Sequence, residues 1–141
     1  MNKIYSKSIN FAENNSSGWY ANLLIREAGL SGHFKTKEFI DNFAELQKAD
    51  QKSALRGYKF MTSDPKTASI KRIRQNPSPI PVYSAEVGQY VRAMAVKVGN
   101  CYIWYWIGLH ERYNEMLKTM PPMKSIQNVI NYMKKNKWCN I

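Results

Sequence analysis

Gly99-Asn100 stands between two runs, Tyr90–Val98 and Cys101–Ile107, rich in Val, Ile, Tyr and Trp. These residues suit a pleated, half-buried surface. Gly and Asn both tolerate positive φ, which a two-residue hairpin turn demands, so the spacing predicts a β-hairpin. The turn also fixes the register. Val98 should face Cys101, Lys97 Tyr102, Val96 Ile103 and Ala95 Trp104. Continued without interruption, Met94 faces Tyr105, Ala93 faces Trp106 and Arg92 faces Ile107. Small residues then lie opposite large ones, and complementary volumes fill the space between the strands. Arg92 comes to lie beside Gly108, close to Leu109–Tyr113. A guanidinium, the His110 imidazole and the Tyr113 phenol are therefore expected at one end of the sheet.

The rest of the chain arranges itself around this hairpin. Val82–Val87 alternates enough to be a strand, with Gly88-Gln89 turning into the next, which gives an antiparallel meander of 82–87, 90–98 and 101–107. A helix is expected from Glu111 to about Thr119, stopped by Pro121-Pro122. Ser125 can start another, with Ile126, Val129, Ile130 and Met133 on one face. Upstream, Met1–Asn15 has no clear period and reads as an arm or edge strand. Ser16-Ser17 can cap a helix over Gly18–Ala28, ended by Gly29 and Gly32. His33 then falls in a loop, as a structural or solvated histidine. Thr36 can cap a helix to about Lys48 with Phe39, Ile40, Phe43 and Leu46 as its apolar stripe, and Asp50 a short one toward Phe60. Asp64-Pro65 signals a further short helix. It ends before Asn76–Pro81, an extended connector, and Lys71, Arg72 and Arg74 would lie at its end. Those three are either a phosphate-binding cluster or a solvated helix terminus. The expected fold is one α+β domain: a mainly helical half over 1–75, the sheet and the His-containing helix start over 80–120, and a C-terminal helix over 121–141.

The 141-residue chain is long enough for a real core, and its 44% apolar content is ordinary for a globular protein. Met1–Phe11 is polar and lacks the apolar segment of a secretory leader. The longest apolar run, Cys101–Ile107, is far too short to span a bilayer. A cytoplasmic protein with no membrane partner is expected, with Cys101 and Cys139 reduced. Two histidines without a paired ligand motif give no reason to expect a metal. The net charge of +11 is unevenly spread: residues 1–50 are neutral, 51–100 carry +7 and 101–141 carry +4. Such segregation points to a polyanion partner, most simply nucleic acid. The bland alternative is a merely basic surface.

The order of helices, then a meander, then Gly108-Leu109-His110-Glu111-Arg112-Tyr113 opening a helix resembles the RelE/ParE toxin superfamily. Within it, the HigB- and RelE-like endoribonucleases are the most similar. The residues that carry the resemblance are Tyr90-Val91-Arg92, Tyr102–Trp106 and above all the Gly-x-His-x-x-Tyr that follows the last strand, over roughly residues 80–117. The pattern departs from the family in the long segment before the meander, in the extension Pro121–Ile141, and in strand 82–87, which has no Lys or Arg and offers Glu86 instead.

The resemblance implies the toxin of a toxin–antitoxin pair, a nuclease that cuts free or ribosome-bound mRNA and is neutralised by a protein antitoxin. RNA supplies its own nucleophile, the 2′-hydroxyl, so the chemistry calls for a base, an acid and a cation, and for no cofactor or metal. His110 is the candidate acid or base, the role an imidazole most often fills in such chemistry. Arg92 is the candidate phosphate clamp, Tyr113 an orienting or proton-donating phenol, and Glu86 a possible base. Arg112 and Lys97, together with Lys71, Arg72 and Arg74, would hold phosphates. Tyr90 and Tyr102 would stack on bases, and Trp104 and Trp106 read as core. Two other readings stand beside this one: a ParE-like toxin that acts on DNA gyrase without nuclease activity, and a basic nucleic-acid-binding or host-inhibitor protein with no active site. Oligomeric state is left open.

Overall fold

The computed structural model describes residues 32–63 and 70–136. Within them the Gly99-Asn100 hairpin forms as the turn chemistry dictates, with Gly99 at a φ of 61°. Its strands, β4 (Val91–Val98) and β5 (Cys101–Leu109), lie inside a sheet of five. The others are β1 (His33–Lys35), β2 (Lys71–Ile73) and β3 (Val82–Gly88), and the order is β1-β5-β4-β3-β2. β1 runs parallel to β5, and every other pair is antiparallel. Four helices complete the mixed α+β architecture: α1 (Lys37–Glu45), α2 (Lys48–Ser63), α3 (His110–Met116) and α4 (Met123–Asn136).

The helices form where their caps and stripes allow. Thr36 Oγ1 accepts a hydrogen bond from Phe39 N at 3.3 Å and so starts α1, which buries Phe39, Ile40 and Phe43 and stops at Glu45, short of Lys48. α2 is longer than the Asp50 signal suggested and buries Ala54, Tyr58 and Met61. α4 begins two residues before Ser125 and buries Ile126, Val129, Ile130 and Met133. Ser125 instead donates its hydroxyl to Glu38 Oε2 at 2.8 Å and ties α4 to α1. α1 and α2 cover one face of the sheet, where Tyr58 meets Trp104 edge-on with ring centroids 5.9 Å apart. α3 lies over the other face. Each buried side chain of Phe or Leu size contributes about 1.5–3 kcal/mol, so the aromatic layer under α1 and α2 dominates the core.

Several expectations are corrected. Lys71–Ile73 is a strand, not a helix end. It pairs with Val82–Ser84, and a short edge strand of this kind has no periodicity of its own to announce it. His33 is not in a loop: it opens β1, is 6% exposed, and accepts a hydrogen bond at Nδ1 from Trp104 Nε1 at 3.1 Å. Burial, with Lys35 nearby, lowers its pKa from 6.5 to about 4. Cys101 is disulfide-bonded rather than reduced; the chain holds one other cysteine, Cys139, which lies outside the described residues. Separation along the chain says nothing of separation in space. The turn before β4 is Gln89-Tyr90. The predicted arm over Met1–Asn15, the helix over Gly18–Ala28 and the Asp64-Pro65 helix start also lie outside the described residues.

Candidate active site

The hairpin register holds from the turn to Ala95–Trp104 and then changes. Tyr105 is a bulge, an extra residue on β5 opposite none on β4, so Met94 pairs with Trp106, Ala93 with Ile107 and Arg92 with Gly108. Trp106 therefore does not sit over Ala93; its indole folds toward the space left by Gly108. A second shift, at Val87 on β3, brings Glu86 opposite Arg92. The outcome is one rung across three strands, Glu86–Arg92–Gly108.

Arg92 lies opposite Gly108 rather than Ile107, and the side chain it meets on that rung is Glu86, a meeting the turn arithmetic did not anticipate. Its Nη2 lies 3.6 Å from Glu86 Oε1, and the two side chains are 24% and 57% exposed, so water reaches the pair. Arg92 Nη1 also donates to Val91 O at 3.4 Å. At the same end, the first residue of α3 is latched to the start of β4, with His110 N donating to Tyr90 O at 2.8 Å. The His110 and Tyr90 rings sit 5.9 Å apart, both exposed. Gln89 Nε2 donates to the Tyr90 hydroxyl at 3.1 Å.

Tyr113, one turn further along α3, is engaged elsewhere. It donates its hydroxyl to Ser84 Oγ at 2.7 Å. Ser84 is two residues from Glu86 and so on the same face of β3. Tyr113 thus anchors α3 to that face, with its hydroxyl spent on Ser84 rather than turned to His110. Beneath it the buried Tyr105 hydroxyl has no hydrogen-bond partner among the described residues. Burial, and Tyr113 beside it, push the Tyr105 phenol far above its usual pKa.

The candidate phosphate-binding residues separate into two groups. Lys71 pairs with Ser84, which sets it on the Glu86/Arg92 face at the β2 edge. Local sequence gives no sign of this, because it depends on a strand pairing that only the folded chain makes. Arg72 pairs with Tyr83 and belongs to the opposite face. So do Lys97 and Tyr102, which oppose each other across the hairpin. The Lys97 ammonium caps two rings, 5.5 Å from the centroid of Tyr102 and 5.8 Å from that of Tyr83. Arg112 is exposed on α3 and pairs with Glu115 at 3.7 Å. Trp104 and Trp106 are core, 0% and 8% exposed. Ser84 and Lys71 on the Arg92 face are what the sequence reading did not put together.

One end of this face therefore carries a carboxylate, a guanidinium and an imidazole, with Lys71 at its edge and the exposed Tyr90 phenol beside His110. Among the described residues no group of three or more His, Cys, Asp or Glu is arranged to hold a metal ion, and no helix is long and apolar enough to cross a membrane. Compared with family models, with curated proteins and with solved structures, the chain gives no match.

Proposed function

We propose that the protein is a RelE-like endoribonuclease that cleaves mRNA by 2′-hydroxyl attack, acting as the toxin of a toxin–antitoxin pair. The observation that carries this reading is the solvent-reached Glu86–Arg92 pair at the sheet end where His110 and Tyr90 stand. A base, a fixed cation, a titratable ring and a stacking phenol are what cleavage of a phosphodiester beside a 2′-hydroxyl calls for.

In this mechanism a backbone phosphate takes over the Arg92 guanidinium and frees the Glu86 carboxylate. Glu86 accepts the proton of the 2′-hydroxyl, and O2′ bonds to phosphorus. The bond from phosphorus to O5′ breaks, and protonated His110 gives its proton to the leaving oxygen. The products are a 2′,3′-cyclic phosphate and a 5′-hydroxyl. Arg92 steadies the charge that gathers on the phosphorane, Lys71 adds a second cation from the edge, and Tyr90 stacks on a neighbouring base. Cytoplasmic mRNA, free or on the ribosome, is the substrate this reading implies, and a protein antitoxin its inhibitor.

The test is cleavage of labelled RNA by the purified protein, with and without ribosomes, in the presence of EDTA. Products ending in 2′,3′-cyclic phosphate are expected. His110→Ala should slow cleavage by about 10²–10⁴-fold, the usual weight of a general acid, with an unchanged melting temperature. No cleavage under any condition rejects the proposal, and an unaltered rate in H110A removes His110 from the mechanism. A second reading has one observation in its favour: Glu86 already neutralises Arg92, as in a structural pair. A basic nucleic-acid-binding protein without chemistry would bind RNA in a salt-dependent way and be indifferent to H110A.

A further inference from the structure

The connector between β2 and β3 encloses a pocket of about 240 Å³, away from the Glu86–Arg92 rung. Its walls include Ile73, Ile80 and Pro81, and its rim carries Arg72 and Arg74. The loop that shapes it is braced from both sides. Asn76 Nδ2 donates to Leu117 O at 2.8 Å and to Thr119 O at 3.0 Å, which fastens the loop to the end of α3. Asn76 Oδ1 accepts from Ser78 N at 2.9 Å. Ser78 Oγ donates to Ile80 O at 2.8 Å and accepts from Ile80 N at 3.1 Å. Prolines 77, 79 and 81 fix φ along the same stretch. Asn76 and Ser78 are thus spent on holding the loop's shape, and of the polar side chains that line the pocket the two guanidiniums are left to face a ligand.

Neither guanidinium has a carboxylate at ion-pair distance among the described residues, in contrast to Arg92 and Arg112. No Asp or Glu occurs between Ile70 and Ala85. Two forked cations over a preformed concavity select an anion with several acceptor oxygens. The volume sets its size. Sites for drug-sized ligands run from roughly 300 to 1,000 Å³, so this one admits a phosphate with its sugar and little more. Arg72 pairs with Tyr83, three residues along β3 from Glu86. At about 3.3 Å per residue that is about 10 Å along the strand, a gap that a short run of nucleotides spans around the β2 edge.

We infer that the β2–β3 pocket is a second phosphate subsite, which grips the backbone of a single-stranded RNA a few nucleotides from the bond presented to Glu86 and Arg92. The identity of the ligand rests on the nuclease reading; the pocket and its preference for a phosphate do not. The experiment uses the full chain and a short fluorescent 2′-O-methyl RNA oligonucleotide, which lacks the nucleophile and so reports binding without cleavage. Anisotropy is measured across a salt series for the wild type, for Arg72→Gln/Arg74→Gln, for Asn76→Ala, and for Lys134→Gln/Lys135→Gln as a control that removes equal charge elsewhere. The arginine pair should weaken binding about tenfold or more and flatten the slope of log K against log salt by about 0.7–1.4. N76A, which keeps both arginines and loses the brace, should also weaken binding. The control should bind more tightly than the arginine pair variant.

An arginine variant no weaker than the control, or an N76A protein that is folded by circular dichroism and binds as the wild type does, overturns the subsite. RNA cleavage is read in parallel on an unmodified strand. Weakened binding with no cleavage by any form leaves the subsite standing and removes the nuclease. Cleavage that persists with a KM unaltered in the arginine pair variant removes the subsite and leaves the nuclease.

Discussion

At the scale of single residues, His33 carries the sharpest consequence. Its neighbours Gly32 and Phe34 suggested a loop, and nothing local says that a three-residue strand will pair in parallel with β5 from 69 positions away. Once it does, the imidazole is stacked on Tyr102 at 5.4 Å and Trp104 at 6.1 Å and must stay neutral to accept the indole N–H. A histidine whose folded pKa is depressed gives stability that is fully present above its unfolded value. That stability drains as pH falls below about 6.5 and is gone once pH passes the folded value near 4. The loss amounts to at most about 3 kcal/mol. Denaturant titrations from pH 7 to pH 4 should show it as a falling midpoint. In His33→Phe, which keeps a ring but cannot be protonated, the midpoint should start lower, because the Trp104 N–H loses its acceptor, and should then fall less steeply. Parallel pH profiles for the two proteins would show that His33 is not the group responsible.

At the scale of elements, local chemistry carried the hairpin and its limits are instructive. The Gly-Asn turn fixes the register for the four rungs nearest to it, from Val98–Cys101 to Ala95–Trp104. Beyond them Tyr105 bulges, because the large Trp106 is accommodated over Gly108 rather than over Ala93. That is a packing decision no turn can dictate. The bulge sets Arg92 opposite Gly108 instead of Ile107 and so keeps it near the start of α3, while Tyr113 is drawn away to Ser84. Gly57 in α2 is another tertiary decision. By propensity it weakens the helix, and alanine in its place is worth about 1 kcal/mol of helix stability. In the fold, a methyl group there would run into the Val87 carbonyl oxygen, where α2 touches β3. The backbones would have to separate, and overpacking of this kind costs about 1–3 kcal/mol or more. Gly57→Ala is therefore expected to lower the denaturant midpoint despite its better propensity, and a raised midpoint would mean that α2 does not press on β3 so closely.

At the scale of the whole molecule, two levels of electrostatics make opposite predictions, and one substitution separates them. A chain of net charge +11 should gain from every carboxylate it holds. Screening in physiological salt, however, confines such effects to about 8 Å, so the immediate surroundings decide. Asp41 lies on α1 with Glu38 and Glu45 on the same helix, and its Oδ1 is buried with no hydrogen-bond partner among the described residues. Its pKa is raised, first by desolvation; Lys37 pulls it the other way, and Glu38 and Glu45 each add a smaller push upward. A carboxyl whose folded pKa is raised holds its proton better when folded. The stability this gives is present at low pH and is lost as pH rises through the folded value. Asp41→Asn, uncharged at every pH, keeps that stability at neutral pH although it makes the protein more positive. A melting temperature higher by about 2 °C at pH 7 is expected, with the gap closing as pH falls into the carboxylate range and Asp41 itself becomes neutral. If D41N melts lower than the wild type at pH 7, the field of the whole chain outweighs the neighbours on α1. Charge segregation read from the sequence would then govern stability.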